Sequence, residues 1–177
     1  MAPDLVSPVD APEAYRQLLL GLLGGDDPAL VQGGTVARMR ALVRDAGAFL
    51  RDRPAPGEWS VIECLGHLVD GELVVSTRAR WVLAEDEPVI VGYDQDRWVD
   101  GLHHRDDDPD ELLAVFAALR GANLRLWAAT PPEARRRFGV HSERGPESYD
   151  LMWHLTAGHD RFHVAQAERA LAAVRGG

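Results

Sequence analysis

Four long stretches of this chain repeat their apolar residues every three to four positions, and none sustains the two-residue alternation of a half-buried strand. Helices with one apolar stripe bury it best against each other, so the pattern points to an all-α fold. Helix-start chemistry marks the boundaries. In "DAPEAYRQLLLGLL" Asp10 is placed to cap, Pro12 falls in the first turn, and Gly24-Gly25 ends the segment. "DPALVQGGTVARMRALVRDAGAFL" continues it to about Leu50, with an interruption expected at Gly33-Gly34. After the Pro/Gly loop "DRPAPGEW", Ser60 and Glu63 form a capping box, which predicts a helix from Val61 to about Ala84. Leu65, Leu68, Val69, Leu73 and Val75 are its core candidates. Asp108 with Pro109 opens the next helix, and Ser148 caps the last, from Tyr149 to about Val174.

Between the second and third of these segments lies "EDEPVIVGYDQDRWVDGLHHRDDD", which carries no helical pattern. A connection that long is either functional or a crossover between distant helices. The expectation is therefore a single domain over residues 1–177, a four-helix bundle with a long crossover connection between the second and third bundle helices. Bundles of this kind build metal and ligand sites from side chains on facing helices.

A formal net charge of −9 argues against a nucleic-acid surface and against an anionic membrane, both of which need clustered positive charge. All 19 basic residues are arginine, which we read as the codon usage of a GC-rich genome. The single cysteine, Cys64, excludes an internal disulfide and fits a reducing compartment. "MAPDLVSPVD" lacks the pattern of a signal peptide, and "LLLGLL" is too short to span a bilayer. A cytoplasmic protein is the expectation.

The final helix contains His154, His159 and His163. At about 100° per residue, His159 and His163 lie about 40° apart on adjacent turns, whereas His154 is turned about 140° and about 180° away from them. Gln166 returns to the face of the pair. Two histidines at i and i+4 can bind one ion, and a third ligand must come from another helix. Of the remaining histidines only His67 lies inside a second helix, at the edge of its apolar stripe. It is either a core residue bonded to a carbonyl or a ligand facing the bundle interior.

Three quoted blocks, "PGEWSVIECLGHLVDGE", "PVIVGYDQDRW" and "HLTAGHDRFHVAQ", resemble in order and spacing the DinB/YfiT-like superfamily, in particular its second DinB-like subgroup. This family is unrelated to the lesion-bypass polymerase of similar name. The resemblance covers about residues 10 to 175. It implies a four-helix bundle with a long second-to-third connection, a homodimer, and a divalent ion on one histidine of the second helix and an H-x3-H pair of the last. By position these are His67, His159 and His163; His154 has a counterpart in many members that is not a ligand. The family's branches include S-transferases that use low-molecular-weight thiols such as bacillithiol or mycothiol, a mycothiol-dependent isomerase, and metal-dependent hydrolases.

Three neutral imidazoles leave a tetrahedral ion one open position, and nitrogen ligands suit zinc or nickel. The expected function is metal-dependent transfer of a low-molecular-weight thiol to a small-molecule substrate. The alternatives are hydrolysis by an activated water and a non-catalytic, metal-binding stress-response bundle. Candidates beside the ligands are Gln166, which either bonds a coordinated group or fills a polar gap, Glu63, read chiefly as the capping carboxylate, and Asp94 in the crossover. Asp70 is expected at the rim, and Asp160 facing solvent or orienting a neighbour. Tyr93 and Trp98 are read as anchors of the crossover, with Asp96 solvated. Cys64 reads as a small buried hydrophobe. His103-His104 read as a polar loop run, and Arg135, Arg136 and Arg137 as a solvated loop or an anion site.

Overall fold

Six α-helices carry the computed structural model, which describes residues 10–176. They are α1 (Pro12–Leu23), α2 (Pro28–Ala46), α3 (Val61–Ala84), α4 (Gln95–Gly101), α5 (Pro109–Ala129) and α6 (Tyr149–Gly176). The signal-peptide reading concerned residues 1–10, of which 1–9 lie outside the described residues. Helices α2, α3, α5 and α6 form a four-helix bundle: α6 packs on α2 and α3, α5 closes the ring between the same two, and α1 lies outside against α6.

The local chemistry explains most boundaries. Asp27 accepts from the amides of Ala29 and Leu30, and Asp108 from those of Asp110 and Glu111, with Pro28 and Pro109 each first in their helix. Glu63 closes the capping box of α3, accepting from Ser60 N at 2.8 Å. Ser148 Oγ accepts from Leu151 N at 3.1 Å at the start of α6. For α1 the cap position is Ala11 rather than Asp10, and no side chain bonds there.

Three expectations are corrected. Helix α2 runs unbroken through Gly33-Gly34, because the flanking Gln32 and Thr35 are buried and tied to α6, by Gln32 Nε2 to Trp153 O at 2.9 Å and Thr35 Oγ1 to Asp160 Oδ2 at 2.6 Å. Leu73 is 51 % exposed, since the buried face of α3 is given at that turn to Glu72 and Ser76. The crossover is not irregular: it contains α4 and a two-residue strand, β1 (Val89–Ile90). This strand joins a small sheet with β2 (Phe138–His141) and β3 (Gly145–Ser148), parallel between β1 and β2 and antiparallel between β2 and β3. The sheet clips the crossover to the segment that leads into α6.

Gly158 and Gly66, both within helices, allow the close approaches that position α1 and the crossover. At Gly158 on α6 a Cβ would come within 2.6 Å of Leu19 C, so α1 can lie directly on α6. There Arg161 Nη1 donates to Leu22 O at 2.7 Å and Leu23 O at 3.0 Å, satisfying the end of α1. At Gly66 on α3 a Cβ would come within 2.7 Å of His104 Cβ and Nδ1, so only glycine admits that ring. His104 is buried; its Nε2 meets Asp70 Oδ2 and its Nδ1 meets Asp107 Oδ2, both at 2.7 Å. The residue read as part of a polar loop therefore pins the crossover onto α3.

Candidate metal centre

His67 comes from the second turn of α3, and His159 and His163 from adjacent turns of α6. One ring nitrogen of each lies within 4.8 Å of the others. His67 Nε2 and His159 Nε2 are 3.0 Å apart, close to the separation of about 3.3 Å that two nitrogens on a tetrahedral ion would have at bond lengths of about 2.0–2.1 Å. The ring centroids of His67 and His163 are 4.3 Å apart, as are those of His159 and His163.

The surroundings keep all three rings neutral. Burial pushes the pKa values of His67 and His163 well below the ordinary imidazole value, and each also feels neighbouring imidazoles. His159 falls to about 4, through burial and then the positive charges of Arg120 and Arg144. Neutral imidazole is the ligand form, so the donors need no proton removed at pH 7. Gln166 Oε1 lies 2.8 Å from His163 Nδ1, which makes Nδ1 the donor and leaves Nε2 with its lone pair. Trp59, which sequence reasoning passed over, stacks on His163 with centroids 5.7 Å apart and tilts over His67 at 4.9 Å. Among the described residues nothing bonds the buried His67 Nδ1.

The site opens on one side. A cavity of about 590 Å³ is lined by His159 together with Gly71, Tyr93, Leu68 and Thr156, while His67 and His163 are each 1 % exposed. Gly71 sits between: a Cβ there would lie 3.4 Å from His159 Cε1 and 3.8 Å from the Tyr93 hydroxyl. Tyr93 packs on Trp98 with centroids 4.4 Å apart, and burial raises its pKa.

The other singled-out residues have structural engagements. Glu63 is held by Ser60 and by Arg53, whose Nε donates at 2.9 Å; burial opposes ionisation, but these bonds keep its carboxyl below the usual range. Asp94 lines the cavity and caps α4, accepting from Arg97 N at 3.0 Å. Asp96 also lines the cavity and is exposed. Asp70 holds His104. His154 turns away, its Nδ1 2.8 Å from Asp150 O. Cys64 is fully buried and its thiol pKa is pushed up by burial.

Asp160 is a correction: it is 1 % exposed, not solvated. Its Oδ1 accepts from Arg120 Nη2 at 3.0 Å, and Arg120 Nη2 also lies 2.7 Å from Glu72 Oε2. Asn123 Nδ2 completes the network with bonds to Glu72 Oε1 at 2.7 Å and Ser76 Oγ at 2.6 Å. The sequence signal was Arg120 itself, an arginine directly after the apolar run "LLAVFAAL". Arg135 lies over the Trp127 ring at 3.8 Å, and Arg137 Nε donates to Val82 O at 3.0 Å, so these two serve the ends of α5 and α3.

The chain is similar to several known proteins. Over 109 residues the chain is 27 % identical to a protein of Oceanobacillus iheyensis named "Putative metal-dependent hydrolase", covering 62 % of this chain and 63 % of that one. A Bacillus licheniformis protein of the same designation is 31 % identical over 101 residues, covering 54 % of this chain and 55 % of its own. The chain thus matches less than two thirds of the length of these relatives. The fold is that of YfiT from Bacillus subtilis, described as "a probable metal-dependent hydrolase with an unusual four-helix bundle topology", with a TM-score of 0.74, 19 % identity, and coverage of 99 % of this chain and 93 % of that one. The sequence model of the DinB superfamily matches residues 34–167, a span that contains His67, His159 and His163, and the chain belongs to that superfamily.

Proposed function

We propose that this protein is a metal-dependent hydrolase in which His67, His159 and His163 hold a divalent ion and the adjoining cavity receives a small ester or amide. The observation that carries this reading is the convergence of three neutral imidazoles at the wall of a cavity. The names of the relatives point the same way. The donor set fits an ion: two nitrogens facing each other at 3.0 Å and a third fixed in its tautomer by Gln166. Nitrogen ligation suits zinc or nickel.

His67, His159 and His163 would hold the ion, which would supply an activated water with its pKa lowered to about 7. The chain's own residues define the rest. Trp59 covers His67 and His163, so water and substrate approach from the His159 side. Burial keeps the Tyr93 hydroxyl protonated, and it lies where it can donate to a substrate oxygen that gains charge. His104 and Asp70 hold the crossover, and with it Tyr93, against α3.

One observation favours a second reading, transfer of a low-molecular-weight thiol. The acidic groups nearest the rings on α3 are engaged, Glu63 by Arg53 and Asp70 by His104, and Asp94 caps α4. A thiol held as thiolate before the transfer needs no base during it. A homodimer, as the family resemblance implies, is also part of the proposal.

The test uses protein purified without a histidine tag. About one zinc or nickel per chain is expected. His67→Ala should lose the ion and keep its helical spectrum; collapse on chelation would favour a structural ion instead. Hydrolysis of model esters and amides, equal with and without small thiols, supports the hydrolase. Turnover only with thiol selects the transferase, and failure to retain any divalent ion overturns both.

A further inference from the structure

We infer that the cavity selects substrates carrying a carboxylate, and that Arg78 is the residue that holds it; this rests on the hydrolase reading above. Three arginines line the cavity. Arg120 is paired with Asp160 and Glu72, and Arg144 with Glu147, whose Oε1 it meets at 2.6 Å. Arg78 differs: its Nη2 donates to Val91 O at 2.6 Å, and among the described residues no carboxylate forms an ion pair with it. A half-buried guanidinium with no carboxylate at ion-pair distance is costly to keep, and it matches a carboxylate in geometry. Burial, and then the charge of Arg144, lower its pKa, with Tyr93, Glu147 and Glu143 acting more weakly in the opposite sense.

Its position suits a substrate that also reaches the histidines. Arg78 follows Gly71 by seven residues on α3, two turns on the same helix face and about 10 Å along the axis. Gly71 is the residue against which His159 lies. A ligand bridging Arg78 and the His159 end therefore needs a short chain between its anionic group and its reacting carbonyl.

The remaining charges choose between anions. Of the carboxylates lining the cavity, Glu72, Asp160 and Glu147 are consumed by arginines. Asp10, Asp94, Asp96 and Glu143 also line it and are exposed. One unpaired cation beside these acids favours a carboxylate group, which carries a single charge, over a doubly charged phosphate group, which they would repel more strongly.

The experiment is calorimetric titration of the metal-loaded protein with adipate, its neutral diamide, acetate and inorganic phosphate. Arg78→Gln should weaken adipate binding about 10- to 100-fold, the range for a hydrogen bond to a charged group. Acetate, which can reach only one end, should bind the parent protein more weakly than adipate does. Arg78→Lys, which keeps the charge and loses the fork, should fall between, and it carries the test if Arg78→Gln does not fold. Equal adipate affinity in the parent and both variants, or equal binding of the diamide, overturns the inference. So does Arg78-dependent binding of phosphate tighter than that of adipate, or no adipate binding at all. Metal content and turnover of uncharged esters, measured on the same preparations, report on the hydrolase reading separately.

Discussion

Alanine in place of glycine within a helix normally stabilises it by about 1 kcal/mol. At Gly66 the sign should invert. A Cβ there comes within 2.7 Å of His104 Cβ and Nδ1, and that ring is boxed between α3, Asp70 and Asp107. Overpacking costs about 1–3 kcal/mol, and moving the ring loosens a buried charge-assisted bond to Asp70 worth about 1.5–3 kcal/mol. Set against the helix gain, Gly66→Ala should destabilise by about 2–4 kcal/mol. For a chain of this size that lowers the melting temperature by roughly 4 to 16 °C. Gly33→Ala is the matched control, since nothing lies within 4 Å of a Cβ there. It should be neutral or stabilising by up to about 1 kcal/mol. Both are read by urea unfolding followed by far-UV circular dichroism at one fixed free zinc concentration, because bound metal adds to apparent stability. A Gly66→Ala protein as stable as the parent, or stabilised like Gly33→Ala, would refute the claim that His104 locks the crossover through this gap.

Replacing Gln166 with Leu removes the acceptor for His163 Nδ1 and should weaken metal binding about 10- to 100-fold, measured by competition with a chromophoric chelator. The pKa of His104 is raised to about 9, chiefly by its bond to Asp70, so its contribution is full below the unfolded value near 6.5 and is lost as pH rises through 9. The stability gap between the parent and His104→Gln, on the order of 2 kcal/mol at pH 6, should therefore close by pH 10, and a gap independent of pH would contradict the assignment. Arg120→Met leaves Asp160 and Glu72 buried and uncompensated and should cost about 3–5 kcal/mol. Adding Asp160→Asn and Glu72→Gln to it should recover much of that loss in the same urea assay, because the uncompensated charges are then gone.

The sequence made the long helices legible because their starts carry explicit chemistry: Ser60 with Glu63, Asp108 with Pro109, and Ser148. The grouping of His67, His159 and His163 was legible because helical periodicity and a bundle expectation restrict which histidines can meet. What stayed hidden depended on partners distant in the chain. Strand β1 is two residues long, and its pairing residues lie about fifty positions away, at Val140 and His141. Leu73 looks like core by hydropathy, but Glu72 takes the inward position because Arg120, on another helix, is there to meet it. Helix α2 crosses Gly33-Gly34 because tertiary bonds outweigh local propensity. Asp94 was readable as a cap, and His104 and Asp107 stand at a spacing that suits their bond, but nothing local reveals the gap at Gly66 that receives the ring.

Asp160 is joined to Arg120 of α5 and to Thr35 of α2, and it directly follows His159. The angle of that imidazole is thereby inherited from helices that contribute no donor themselves. A chain with the bundle half assembled can offer at most the one-turn pair on α6, since the third nitrogen arrives only when α3 docks. Small zinc modules collapse around their ion and are unfolded without it. Here Thr35, Glu72, Arg120 and Asp160 tie all four bundle helices to one another through contacts in which no ion takes part.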